Sequence, residues 1–307
     1  MSEMPIIQAD KFKRIGIRED QTDILSDKPV SFWQEVFQTF KKNKLAMVGI
    51  GILIVIALMA IFVPILSPFE YSEQTGAYNH APSAEYWFGT DNLGRDIFVR
   101  VWVGARISLF IGLASAFVSV FIGVVYGSIA GMAGGRVDQV MMRIADVLNA
   151  VPYLLIVIML LVVLEQGLLP LILAMSITGW ISMARIVRTE VMSLKNEEYV
   201  LASRTLGASL GHIIRKHLIP NAMGIIIVQM TLSIPSAIFT EAYLSFLGLG
   251  VTPPMASWGT MANEGAESIM TAPWRLMFPA LLISLTIFAF NAVGDGLRDA
   301  LDPKLRK

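Results

Sequence analysis

The sequence contains no cysteine and few charges. Only 16% of its 307 residues are Asp, Glu, Lys or Arg, and they balance to a formal net charge of zero. The first absence excludes disulfides, thiolate metal sites and thiol catalysis, and leaves the redox compartment open. The second falls well short of the quarter typical of a soluble domain. Neutrality removes any global field that would draw nucleic acid or an acidic substrate. The phosphate-binding pattern G-x-x-x-x-G-K-[ST] is also missing, and no lysine directly follows a glycine. The chain is therefore expected to hold no ATP or Mg of its own. H-E-x-x-H and C-x-x-C are absent as well. The three histidines are His80, His212 and His217. The last two stand five apart, which on an α-helix places them on different faces, so no metal site is expected.

What fills the chain instead is apolar sequence: 55% of residues are hydrophobic and the mean hydropathy is +0.63. The charges bunch and the gaps between them are long, the pattern of an all-α, multi-span membrane protein. The runs predict spans at 45–66, 106–130, 145–164, 168–186, 222–246 and 275–294. They make a six-span domain over 45–295, between a polar segment at 1–44 and a tail at 296–307. Some forty polar residues precede the first run, and that run is too long for a secretory signal, so none is expected. No lipidation pattern is present. Phe32, Trp33, Val36, Phe37 and Phe40 recur at helical spacing. They predict a helix that lies in the membrane interface or packs on the protein's own inner face.

Lysine and arginine distribution orients the spans. Eight fall in 1–44, two in 131–143, six in 185–217 and four in 298–307. Only Arg95, Arg100, Arg106 and Arg275 fall in the intervening segments. Both termini are thus expected in the cytoplasm.

Within this frame several stretches invite a closer reading. Asp91/Arg95 and Asp96/Arg100 are i, i+4 pairs, so Asp91 to Val101 is expected to be a short outer helix capped by Thr90 or Asp91, either a solvated face or a docking site for a soluble partner. Gly123, Gly127, Gly131 and Gly135 recur every four residues, the small-xxx-small pattern of close helix packing in lipid. Val137, Val140, Met141 and Ile144 share one face of an amphipathic lead-in to the third span, with a kink expected at Pro152. The uncharged residues 242–263 are too rich in glycine and proline for another span and are expected to end span five and form a long loop. Glu241, near the outer end of span five, is expected to line a gate, to pair across a subunit interface or to reach interfacial water. No acid sits securely at a midplane, which counts against an ion-coupled carrier.

The stretch Glu197–Asn221 is a polar, basic island on the cytoplasmic side. Its acids, Glu197 and Glu198, suit a helix N-terminus. Gly207 suits a left-handed stop, Ser209 caps a second helix, and Pro220 stands at the start of span five. A helix–Gly–helix hairpin of this kind suits insertion into a partner's groove.

This island resembles the EAA loop of ABC-importer membrane subunits. Leu201-Ala202-Ser203, Gly207 and His217-Leu218-Ile219-Pro220 follow the family's E-A-A, Gly and I-x-L-P elements with the Gly-to-Pro spacing kept. Leu201 stands where the family has Glu and Ser203 where it has its second Ala; Glu197 or Glu198, one turn earlier, can substitute for the acid. Trp87 to Asp96, Gly104 to Leu109, Gly135 to Asp138, Glu241 to Gly250 and Gly294 to Pro303 resemble hallmarks of the dipeptide/oligopeptide/nickel permease group. The similarity runs from about residue 31 to the C-terminus and is closest to the oligopeptide permease C-type subunits. It implies a type I ABC importer permease fold in the bacterial cytoplasmic membrane and no catalytic residue in this chain. It also implies a homologous second permease, two ATPases carrying ATP and Mg, and an extracellular peptide-binding protein. The coupling residues it implies are Glu198, Tyr199, Leu201, Ala202, Ser203, Leu206, Gly207, Ala208, Arg215 and Pro220. Asp91, Arg95, Asp96 and Glu241 are the outer-face candidates. Nickel or another small solute is the alternative cargo. An ion-coupled carrier or an intramembrane enzyme lacks the residues it would need.

Overall fold

The structure, a computed structural model, describes residues 31–301. Most of the polar segment 1–44, with Lys11, Lys13, Arg14, Arg18 and Lys28, and the end of the tail motif, with Asp302 and Pro303, lie outside the described residues. Helix α1 covers Phe32–Lys42, α2 Lys44–Leu66, α3 Ile97–Ala133, α4 Gly135–Ala150, α5 Tyr153–Leu164 and α6 Leu168–Leu194. The island carries α7, Glu198–Thr205, and α8, Leu210–Ile213; a π-helical turn, Ile214–Leu218, then leads into α9, Ile219–Phe246. Last come α10, Trp258–Ala266, and α11, Trp274–Leu301. Among the described residues there is no β-strand, only one isolated bridge between Thr90 and Asp96.

Among the described residues five helices are long and apolar enough to cross a membrane, and a sixth crossing requires counting α4 and α5 together. These two meet at 83°, so the kinked third span expected from sequence is in fact a broken pair. Pro152 supplies the reason. The residue before a proline is pushed out of the helical region, and Val151 is extended, at φ −76° and ψ 132°. Beyond the break, Val157 and Leu161 of α5 pack on Leu171, Ile172 and Met175 of α6.

Helix α6 is the centre of the bundle: 56% of its most apolar window is buried, against 22% for α2. It lies along α3, and three rungs of the glycine ladder make that approach possible. A Cβ on Gly127 would sit 2.4 Å from the Ala184 carbonyl oxygen, and Gly123 and Gly131 face Met183 and the Arg188 carbonyl. In lipid, where burial gives helices little reason to associate, such close backbone contact is a main source of adhesion. Gly135, the fourth member, instead begins α4. Charged contacts fasten the ends: Arg188 grips Asp138 with two hydrogen bonds and Lys195 donates to the Gly131 carbonyl at 2.9 Å.

A second proline shapes α2. Pro64 lies within α2 and has no N–H for the carbonyl of Ala60, four residues back. Arg106 of α3 takes its place, donating through Nε to Ala60 O at 2.5 Å and through a terminal nitrogen to Ile61 O at 2.9 Å. Helix α1 packs one side on the protein's own helices and leaves the other exposed. Val36 and Phe40 are buried with Ala46 and Ala300, while Phe32, Trp33 and Phe37 remain exposed.

Candidate functional site: the island and the outer clasp

The island is anchored by its apolar residues. Val200 of α7, Ile213 of α8 and Leu218 of the π turn are buried with Met183, Val187 and Val191 of α6 and Val120 of α3. The opposite side projects outward. Glu198, Tyr199, Leu201, Ala202, Leu206, Gly207, Arg215 and Pro220 are exposed, while Ser203 and Ala208 are half-buried. Leu206 is 88% exposed, an apolar side chain held at the tip of the hairpin.

The hairpin turn is a Schellman motif. Gly207 N–H donates to Arg204 O at 3.0 Å, and Ala208 N–H to Ser203 O at 3.1 Å. The motif needs a left-handed residue, and Gly207 has φ +82° with open space where a Cβ would stand. Only its conformation, not crowding, restricts the position to glycine. Ser209 then caps α8 by accepting the N–H of His212. The letters Gly207-Ala208-Ser209-Leu210-Gly211 happen to fit the G-x-S-x-G pattern of hydrolases. That pattern belongs to a sharp strand-to-helix turn, whereas Ser209 joins two helices as an N-cap.

The π turn overturns one expectation. A five-residue spacing that separates side chains on an α-helix aligns them in an i→i+5 turn, and the His212 and His217 rings lie 6.3 Å apart, with Tyr199 6.0 Å from His217. Burial, followed by Glu197 and Glu190, pushes the Tyr199 hydroxyl above its ordinary range. Pro220 explains why the turn is wide. It lacks the N–H that would close on Lys216, and Ile219 bonds back to Ile214 instead. Among the described residues no group of three His, Asp or Glu side chains is placed to hold a metal ion.

The outer candidates are arranged quite differently from a solvated helix. Residues 91–96 form turns, and α3 begins only at Ile97, capped by Asp96, which accepts the N–H of Val99 at 2.8 Å. The Asp91/Arg95 pair exists at 2.6 Å, but in a loop. Asp91 also accepts the N–H groups of Leu93 and Arg95. Asp91, Asp96 and Arg100 are 4%, 2% and 2% exposed, so neither a solvated face nor a direct docking surface is available to them. Burial raises the Asp96 carboxyl above its ordinary range, opposed by the N–H groups of Val99 and Phe98.

Glu264 and Arg275, which the sequence did not single out as site residues, complete this clasp. Glu264 lies 3.3 Å from Arg95 and 3.7 Å from Arg100. Arg275 donates to Asn79, Asn92 and the Glu264 carbonyl. The residues 242–263, expected to end span five and form a long loop, do end α9 at Phe246 but also contain most of α10, whose Glu264 ties Arg95 and Arg100 to Arg275 of α11. The available signal was Glu264 itself, the first charge after twenty-two uncharged residues, 242–263.

Glu241 is fully buried and does not reach interfacial water. It accepts hydrogen bonds from Ser108 of α3 at 2.9 Å and Ser245 of α9 at 2.8 Å. Ser108 accepts the Trp258 N–H at 3.0 Å, and the Trp258 indole donates to Val101 O at 2.9 Å. Three helices, α3, α9 and α10, therefore meet on this carboxylate.

Residues 123–307 match the family of binding-protein-dependent transport system inner membrane components, and residues 31–82 match the N-terminal TM domain of oligopeptide transport permease C. The oligopeptide transport system permease protein OppC of Bacillus subtilis is 58% identical over 99% of this chain and 100% of its own length. The dipeptide permease protein DppC of the same organism is 55% identical over 94% of this chain and 90% of its own length. OppC of Escherichia coli is 45% identical over 90% and 92%. Apolar helices, a helix-paired loop facing one way and a clasped cap facing the other thus coincide with similarity along the whole chain, and the protein belongs to the binding-protein-dependent inner membrane permeases, the type I ABC importer fold.

Proposed function

We propose that this chain is one of two pore-forming permeases of an ATP-driven importer of oligopeptides or dipeptides. The observation that carries the reading is the α7–Gly207–α8 hairpin, anchored by Val200, Ile213 and Leu218 and exposing Leu201, Ala202, Leu206 and Arg215. It is a rigid, partly apolar projection of the size that fills a groove in a partner. One ATPase docks here and a second on the equivalent loop of a homologous permease, and ATP with Mg resides on those subunits. An extracellular binding protein delivers the peptide to the opposite face. Leu201, where the resembled pattern has Glu, presents an apolar contact to the ATPase, and Glu197 and Glu198 lie exposed one turn earlier. The hairpin and both termini face the cytoplasm, as the lysine and arginine distribution supports. Helix α1 lies at the inner membrane surface with Phe32, Trp33 and Phe37 toward the lipid interface.

The test is Gly207→Val against Gly207→Asn. A β-branched residue at φ +82° strains the turn by about 1–2 kcal/mol, and nothing crowds the site. Asn tolerates the left-handed region. Gly207→Val is expected to insert and fold but to lose ATPase docking and peptide uptake, with Gly207→Asn retaining most of both. Unchanged uptake in Gly207→Val would remove the coupling role.

A further inference from the structure

A groove of about 350 Å³ opens between α3, α5, α6 and α9, and no Asp, Glu, Lys, Arg or His lines it. Its polar groups are all neutral, among them Ser115, Ser119, Tyr153, Thr178, Gln229 and Ser233. Gln229 and Ser233 lie about 15 and 21 Å along α9, a helix of about 42 Å at 1.5 Å per residue, so the groove sits at mid-height. Gly179 and Ser236 on its margin are exposed, which makes it an open groove and not a sealed chamber.

The hydroxyls are not idle packing. Ser115 donates to the Ile111 carbonyl and Ser233 to the Met230 carbonyl, each at 2.7 Å, which leaves their oxygen lone pairs as acceptors. Gln229 offers both a donor and an acceptor. Tyr153, the first residue of α5 after the 83° break, has a buried hydroxyl with no hydrogen-bond partner among the described residues. An unpartnered buried hydroxyl is costly, and its residue lines the groove. Glu241, next in sequence to the groove residue Thr240, is turned away into its serines.

We propose that this groove is the chain's half of the translocation path and that it handles peptides by their main chain without selecting side-chain charge. The proposal rests on the peptide-import reading above. Each peptide unit carries one N–H and one C=O whatever its side chain, and a wall of neutral donors and acceptors can meet both in succession. A fixed charge at mid-height would attract one sign of side chain and repel the other. Tyr153, the first residue after the break, lines the groove, and its unpaired hydroxyl would gain a partner if a small shift of α5 brought it to a passing carbonyl or amide.

The complete importer, with both permeases, both ATPases and the binding protein, is reconstituted in vesicles. It is supplied at saturation with three peptides of one length that differ in a single Ala, Asp or Lys. Gln229→Glu is expected to lower the Asp-to-Lys uptake ratio by about tenfold relative to the unaltered importer, and Ser233→Lys to raise it by about the same factor. The binding protein is common to all, so its own preference cancels. Opposite shifts are not a signature of misfolding. Ratios that stay fixed, or move together, while the Ala peptide is still carried would overturn the proposal. Tyr153→Phe keeps the ring and is expected to slow all three peptides by one common factor of several-fold. Unchanged rates, or slowing of one peptide alone, would also overturn it. An unaltered importer that carries none of the three peptides contradicts the import reading itself and not the lining.

Discussion

Glu241 illustrates how a single carboxylate can hold a membrane protein together without being paired to a base. Its two oxygens accept from Ser108 and Ser245, and Ser108 in turn accepts the Trp258 N–H. Ser108→Ala therefore strands two buried groups at once, the Glu241 oxygen and the Trp258 amide. Each stranded group costs about 1–3 kcal/mol. A marked fall in the thermal unfolding midpoint of the detergent-solubilised protein is expected. Glu241→Gln, nearly isosteric and still able to meet both serines, is expected to fall much less; equal falls would show that the hydroxyl is not the link. The residue scale is also where sequence reasoning reached least far. Asp91, Arg95, Asp96 and Arg100 read as helical pairs because i, i+4 spacing carries no sign of burial. Only the partners Glu264 and Arg275, far along the chain, turn them into a clasp.

Among the elements, α2 and α3 offer a test in which two substitutions should not add. Arg106 bonds the Ala60 carbonyl that Pro64 leaves open. Arg106→Ala is expected to cost about 1–3 kcal/mol by stranding that oxygen. In a Pro64→Ala background residue 64 regains its N–H, the helix closes its own bond, and the cost of Arg106→Ala should shrink. A double-mutant cycle on unfolding midpoints reads the difference, and additive costs would mean that Arg106 acts only through Ile61 or through packing. The helices themselves were largely legible, because an uncharged apolar run has few alternatives. So was the turn at Gly207, since a left-handed helix stop favours glycine strongly. The break at Pro152 was read only as a kink, since a proline signals a bend but not its angle. Helix α10 was missed because Gly250, Pro253 and Pro254 mask the short helical stretch that follows them. The π turn was invisible, and with it the approach of His212 to His217, because i→i+5 bonding has no clear mark in composition.

For the molecule as a whole, the absence of cysteine turns topology into a direct measurement. The proposed topology puts a single cysteine at Leu206, at the hairpin tip, and another at Met270, 92% exposed beyond α10, on opposite sides of the membrane. In intact cells a membrane-impermeant maleimide is expected to label Met270→Cys and to spare Leu206→Cys until the membrane is opened. Labelling of both, or the reverse order, would invert the proposed orientation. Between these two sides runs one continuous helical segment, Leu210–Phe246, 37 residues that include α8, the π turn and α9. At 1.5 Å per residue it is about 55 Å long. Ser209 caps it at one end, and Glu241 and Ser245 hold it at the other. A tilt of about 5° at the hairpin would thus carry the far end by about 5 Å over that length, enough to break the serine contacts of Glu241. The two ends of the segment are thus mechanically tied: a displacement at the hairpin is felt at the Glu241 contacts.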